Sequence, residues 1–519
     1  MRHHKSTPAL RRHLLAAAGL VLAAAAPLGA QHAPDLRALD AYIAQARADW
    51  RVPGLAVAIV KDGQVVFQKG YGTRHRFEGG AVDEHTLFAI ASNTKAFTSA
   101  AIAMLVDEGT LRWDTRVADV LPWFEVRDPW VTREMRVRDL LSHRSGFGTF
   151  SGDLLWYGTS YSAEEVVRRL RHLEPAGGFR ESYRYNNLMF ITAGEVIRAA
   201  SGMPWNTFVR TRILDPLGMT ETVTSVADLA GRANVATPHG EKADTVRPFP
   251  WEPWDAMGSA GAIVSSVHDM ARWLSLQLGR GEVDGRRLFG EAQSRVMWTP
   301  HISSAVSAGS QERWPSTHFI GYGLGWSLRD YLGRKLVMHG GAYDGMYSQV
   351  LLVPEERLGV VILTNAMTDV QSALAWRIVD AYLGAPAKDW SHDYLDRAGP
   401  STAERRWAEW DSTRVANAPP SLPLDAYAGT YGGPLYGDVT VAQDGGGLVL
   451  RLLPAGDLVG DLTHWHRDVF RVHWRREFPW FGDGLVQFVL NANGDADQVK
   501  IDVPNDDFWF TELELRRRP

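Results

Sequence analysis

Apolar residues recur along the chain at two different spacings, and the changes from one to the other divide it. Leu36, Leu39, Tyr42, Ile43 and Ala46 fall on one stripe behind Asp35, which predicts an amphipathic helix over 35–50 with that aspartate as its cap. Two β-rich runs, 54–60 and 64–68, flank Lys61-Asp62-Gly63 and predict a hairpin. Phe97, Ala101, Met104 and Leu105 then repeat at helical spacing until Glu108-Gly109. Between about 135 and 290 the periodicity is mainly helical, over 137–142, 162–173, 187–200, 204–214 and 267–277. Gly202 and Pro204 mark a stop and a restart there. Strand patterning returns in 322–328, 335–339, 346–353 and 359–364, and a helix over 370–382 closes the region. Strands at both ends with helices between them predict one sheet assembled from distant segments.

Residues 386–422 mix tryptophan and charge and end in a proline-rich break, which reads as a linker. Beyond it come short β-rich runs at 439–442, 448–453, 469–474, 485–490, 498–503 and 509–515. Glycine turns at 444–447 and Asn493-Gly494 separate some of them, and the whole predicts a small barrel or sandwich. At the other end, Arg2, Lys5, Arg11 and Arg12 precede the apolar run 14–26 and the small residues before Gln31. That is the pattern of an export signal with a core too short to span a bilayer; an uncleaved anchor is the rival reading. The expected organisation is therefore a signal over 1–30, a first domain over 31–385, a linker over 386–422 and a β domain over 423–519. The expected location is the periplasm or the medium, by the general or, from Arg11-Arg12, the twin-arginine route.

Cysteine is absent, which excludes disulfides, thiol catalysis, cysteine-bound metals and a lipidated cysteine anchor. The formal net charge is -5, and loss of the four bases in the signal makes the mature chain more acidic still. Nothing in this recruits nucleic acid or acidic lipid.

Ser92 and Lys95 stand three apart before the apolar run, which puts them on one face of a helix at its first turn. A serine hydroxyl becomes a good nucleophile when a neighbour takes its proton. A lysine does so once burial and a helix N-terminus favour its neutral form. The alternative is a capping serine beside a solvated lysine. With 28 Ser and 8 Lys, about 0.4 chance S-x-x-K matches are expected, and this is the only one. Tyr185-Asn186-Asn187 opens the helix expected over 187–200. It supplies an acid or base and an amide, or else a core tyrosine and a cap. His339-Gly340-Gly341-Ala342 ends a strand. Its glycines permit close backbone approach to a ligand, or mark a bulge. His464 and His466 would face one side of a strand, but lack a third ligand at familiar spacing, and HExxH is absent; no metal or other cofactor is expected. Trp251 and Trp254 either line an apolar pocket or pack a loop.

In this order the three motifs resemble the serine β-lactamase and penicillin-binding-protein superfamily, in its branch related to class C β-lactamases. The resemblance spans about 35–383 and extends to 140–146 (Leu-Leu-Ser-His-Arg-Ser-Gly), 215–219, 258–262 with Asp269, and 321–326. It implies an α/β fold: an antiparallel sheet of about five strands with helices on both faces, and a helical lobe with the site between. It implies that Ser92 forms an acyl-enzyme, that Lys95 and Tyr185 share the proton transfers, and that Asn187 orients the substrate. The backbone N–H groups of Ser92 and Ala342 would form an oxyanion hole, beside His339, Gly340 and Gly341. His339 departs from the pattern, standing where antibiotic-processing members carry a lysine for a substrate carboxylate. The stretch 424–431 resembles the opening of the lipocalin-like barrel appended to some of these hydrolases, where it contributes to the site entrance or to assembly.

The reading is an exported serine hydrolase cleaving an ester or amide of a small molecule or peptide, esterase or peptidase before β-lactamase or penicillin-binding DD-peptidase. A weakly catalytic or non-catalytic receptor is the reading from another class. The sequence leaves the substrate and the oligomeric state open.

Overall fold

The computed structural model describes residues 34–242, 245–397 and 399–519. The export signal expected over 1–30 lies outside the described residues. No helix among the described residues is long and apolar enough to cross a membrane.

Helix Leu36–Asp49 starts where the Asp35 side chain accepts from the N–H groups of Arg37 and Ala38, and it buries Leu39, Ile43 and Ala46. Strand Gly54–Lys61 is buried along all but its last residue, as its unbroken apolar run requires of a central strand. It pairs antiparallel with Gln64–His75 on one side and with Leu358–Thr364 on the other, Val57 facing Ile362. The chain's early and late strands thus share one sheet. Its order is Ile302–Ser304, Ile320–Tyr322, Ser327–Tyr331, Arg334–Tyr343, Met346–Val353, Leu358–Thr364, Gly54–Lys61, Gln64–His75, Gly79–Ala81. Nine strands replace the five or so implied by resemblance, because short strands extend both edges.

One face of the sheet packs on helices Leu36–Asp49 and Val370–Leu383. The other carries Val267–Leu278 and the helical lobe. Within that lobe, helix Thr94–Asp107 is buried on every side from Thr94 to Leu105, not along a single stripe.

Three expectations are corrected. The single strand expected over 322–328 is two, Ile320–Tyr322 and Ser327–Tyr331, with Gly325 at φ +76° in the turn between them. A Cβ on Gly325 would lie 2.5 Å from Ser99 Oγ and 2.8 Å from the Lys95 carbonyl oxygen, so this turn is pressed onto helix Thr94–Asp107. The linker expected over 386–422 contains helices Trp390–Leu395 and Thr402–Thr413. Trp390 is buried and donates to Asp380 (2.6 Å), which ties the first helix to the sheet domain. Arg406 pairs with Asp502 (2.8 Å) and ties the second to the β domain. The strand expected over 509–515 is a short helical turn, Phe510–Glu512, followed by strand Leu515–Arg517.

Eight strands from Gly429–Gly433 to Leu515–Arg517 close into a barrel filled by side chains such as Val439, Leu450, Phe470 and Phe488. The barrel and the helical lobe share one continuous apolar cluster. Phe508 meets Tyr157 at 4.4 Å between ring centroids, and Tyr161 donates to the Tyr436 carbonyl (2.6 Å).

Candidate active site

Between the lobe, the sheet and the barrel lies a cleft of about 510 Å³. Ser92 opens into it from a 3-10 turn, Ala91–Asn93, that leads into helix Thr94–Asp107. The serine thus precedes the regular helix by one turn. Ala91 is held at φ +46°, an uncommon conformation for a residue with a side chain, and this aims the turn at the cleft. Asn93 braces the turn by donating to Ser348 Oγ (2.9 Å), which itself donates to the Ile90 carbonyl (2.8 Å).

Lys95 Nζ lies 2.9 Å from Ser92 Oγ and donates to the Ala260 carbonyl at 2.9 Å. The motif over 258–262 therefore serves as the lysine's anchor. Gly194 lets helix Asn187–Ser201 approach that motif, since a Cβ there would sit 2.4 Å from Ser259 Oγ. Among the described residues no carboxylate pairs with Lys95, and burial lowers its pKa from 10.5 to about 7, with Asp153 opposing the shift. An amine in that state exchanges protons with a serine near neutrality.

Tyr185 stands beside Ser92 in the cleft, and burial holds its phenol protonated well above the usual range. The Lys95 ammonium position is 4.8 Å from its ring centroid. Behind it, His143 fixes the Tyr185-Asn186-Asn187 corner: its Nδ1 accepts from the Asn186 N–H (3.0 Å) and its ring lies 4.1 Å from that of Tyr185. The Asn186 side chain donates to the Gly148 and Ser151 carbonyls, so Asn186 is a structural brace. Asn187 lines the cleft and donates to Asp153 Oδ2 at 2.6 Å.

His339, Gly340, Gly341 and Ala342 line the opposite wall on strand Arg334–Tyr343. Only Gly341 is required for close approach. A Cβ there would lie 2.2 Å from the Ile90 carbonyl, whereas one on Gly340 meets nothing nearer than 3.7 Å. His339 is buried; Nδ1 donates to the Gly340 carbonyl (2.6 Å), so Nε2 accepts from the Tyr322 hydroxyl (2.8 Å). Burial and the nearby Lys95 push its pKa down to about 3. The imidazole is neutral and both its nitrogens are engaged.

The sequence-predicted residues Ser92, Lys95, Tyr185, Asn187, His339, Gly340, Gly341 and Ala342 thus converge on one cleft. Trp254 lines it too, anchored by donation to Asp344 (2.9 Å), whereas Trp251 packs on Tyr343. His464 and His466 lie elsewhere: His464 bonds the Arg467 carbonyl and His466 accepts from the Val415 N–H. Sequence reasoning missed Asp153, and it missed Trp480, Asp506, Asp507 and Phe508, which the barrel contributes to the cleft. Asp153 sits in a loop with no periodicity, and 505–508 reads as one more polar turn between strands.

A serine, a buried amine of lowered basicity and a protonated tyrosine, set between an antiparallel sheet and a helical lobe, are the groups a serine hydrolase requires. Residues 39–384 match the family described as Beta-lactamase, and the chain belongs to that family of serine hydrolases. Residues 413–517 match a domain of unknown function, DUF3471. The chain is 30% identical over 422 residues to Unguisins hydrolase ungD of Aspergillus violaceofuscus, covering 76% of this chain and 74% of that protein. It is 31% identical over 329 residues to Penicillin-binding protein 4 of Amycolatopsis lactamdurans, covering 62% and 82%. Among solved structures, the octameric penicillin-binding protein homologue from Pyrococcus abyssi superposes with a TM-score of 0.60 at 23% identity, over 93% of this chain and all of that one.

Proposed function

We propose that the protein is an exported hydrolase that opens an ester or amide through an acyl-enzyme on Ser92. The observation that carries this is the contact between Ser92 Oγ and a buried Lys95 whose pKa is lowered to about 7. Neutral Lys95 takes the serine proton as Oγ attacks the carbonyl carbon. The tetrahedral oxyanion is held by the backbone N–H groups of Ser92 and Ala342. Tyr185, a phenol at neutral pH, gives its proton to the leaving group and regains one from the Lys95 ammonium, which had taken it from Ser92. Water, activated by the same pair, then releases the acyl group.

Esterase or peptidase action is favoured over β-lactam processing by the neutral state of His339. A penicillin's carboxylate has no cation to meet there. The test is intact-protein mass after exposure to a fluorophosphonate and, separately, to a penicillin, with Ser92→Ala as control. The expected result is a Ser92-dependent phosphonyl adduct and no lasting penicilloyl adduct. A stable penicilloyl adduct would move the assignment to a penicillin-binding peptidase, and no adduct or ester turnover at all would leave a binding protein.

A further inference from the structure

We propose that Thr98 and Trp205 are positioning residues of the reaction, whose hydrogen-bond chain holds the Ala260 carbonyl on Lys95 Nζ. This rests on the serine-hydrolase reading above. Helix Gly258–Gly261 is a single turn whose four residues are all buried. The last carbonyls of any helix find no partner within it, and in so short a helix that leaves almost none satisfied from inside. The Gly258 carbonyl is met by the Ala262 N–H (3.1 Å). The next two are met by side chains of helix Thr94–Asp107: Thr98 Oγ1 donates to the Ser259 carbonyl (2.7 Å) and Lys95 Nζ to the Ala260 carbonyl (2.9 Å). Further along, Thr94 Oγ1 accepts from the Ile263 N–H (3.2 Å). Positions 94, 95 and 98 share one helix face, so the segment that anchors the lysine is zipped onto that face one side chain after another.

Thr98 is set apart from the other helix hydroxyls. Such a hydroxyl ordinarily turns back to the carbonyl four residues earlier, as Thr192 does to Leu188 (2.8 Å) and Ser275 to Ala271 (2.9 Å). Thr98 turns outward instead. The Trp205 indole donates to its oxygen (2.9 Å), and an indole can only donate, so the Thr98 hydrogen is committed to the Ser259 carbonyl. Both residues are buried, and each link of the chain would leave a polar group unpaired if cut. Neither lines the cleft that holds Ser92. Trp205 borders a separate cavity of about 210 Å³ with Gly258 and Ser259, so the chain acts on the reaction through the lysine's anchor and without touching substrate.

The Ala260 carbonyl does two things for Lys95. It keeps Nζ within 2.9 Å of Ser92 Oγ, and as an acceptor it favours the ammonium over the amine. With the Thr98 hydroxyl gone, the peptide between Ser259 and Ala260 is free to turn away. The lysine then gives up its proton more readily and is held less firmly against the serine.

The experiment follows kcat/KM for p-nitrophenyl acetate across the acid limb near pH 7, in the wild type and in Thr98→Val, Thr98→Ser and Trp205→Phe, each normalised to sites titrated with a fluorophosphonate. Thr98→Val should lower the plateau roughly tenfold, through kcat and not KM, and move the limb down by about one pH unit, as loss of a charge-assisted hydrogen bond implies. Trp205→Phe frees the Thr98 hydroxyl to turn back to its own helix, and should move the limb the same way by less. Thr98→Ser keeps the hydroxyl and should restore the wild-type limb. The titratable groups around Lys95, namely Tyr185, Asp153, His143 and His339, are unaltered in all three variants, so a moved limb reports the lysine's anchor. Thermal melting checks folding, and should Thr98→Val not fold, the limb of Trp205→Phe decides. Lower melting temperatures with an unmoved limb would mean that the chain only packs the lobe, and would overturn this inference alone. No turnover and no fluorophosphonate adduct in the wild type overturns the serine-hydrolase reading, and this inference with it.

Discussion

Replacing Lys95 with methionine should abolish activity while making the protein more stable, and the gain should depend on pH in a defined way. The lysine is fully buried, and its pKa falls from 10.5 in the unfolded chain to about 7 in the folded one. Between those values the unfolded chain binds the proton and the folded one does not, so each unit of pH decrease favours unfolding by about 1.4 kcal/mol. At pH 8 this amounts to roughly 3 kcal/mol, and it levels off near 5 kcal/mol below pH 7. Methionine removes that titration and fills similar space. It also loses the bonds to Ser92 Oγ and the Ala260 carbonyl, about 1 kcal/mol each. The net expectation is a variant more stable by roughly 1 kcal/mol at pH 8 and by 2 to 3 kcal/mol at pH 7. Urea unfolding followed by tryptophan fluorescence at pH 7, 8 and 9 measures it, and titrations common to both proteins cancel in the difference. A difference that stays flat with pH, or a variant less stable than wild type at pH 7, would refute the argument that Lys95 is held neutral.

In the wild-type enzyme kcat/KM for a neutral ester should rise with pH through about 7, as Lys95 loses its proton. Tyr185 stays protonated well above its usual pKa and should add no descending limb below about pH 10. Tyr185→Phe should fold normally, as judged by thermal melting, and lower kcat about 10²- to 10³-fold. Gly341→Ala should lower the melting temperature sharply, because its Cβ would sit 2.2 Å from the Ile90 carbonyl. Gly340→Ala should leave the melting temperature nearly unchanged. Glu512→Ala, which releases Ser151 and Gly152, should destabilise by about 2 kcal/mol and raise KM more than it lowers kcat. An unchanged KM would show that the barrel clamp does not position Asp153.

The nucleophile helix was legible because its apolar run is long and because lysine is scarce in this chain, which makes one S-x-x-K informative. The hairpin at 54–68 and the central strands were legible for the same reason: their periodicities are strong and local. The break at Gly325 was not, since Gly-Leu-Gly-Trp alternates like a strand and only its contact with Ser99 and Lys95 makes it a turn. The helices within 386–422 were not legible for a related cause, because nothing local shows that Asp380 receives the Trp390 indole.

By itself, then, the sequence determined the class of fold and the family, because helix and strand periods and the S-x-x-K, Y-x-N and H-x-G spacings act over a few residues. Tertiary structure decided what those residues are chemically. Burial lowers the basicity of Lys95, which is anchored on the Ala260 carbonyl, and burial together with the nearby Lys95 holds His339 neutral. Asp153 and Asp507, 354 positions apart, meet across a domain boundary to give the cleft its acidic wall. Dielectric environment and long-range contact depend on the packed whole, and no window along the chain contains them.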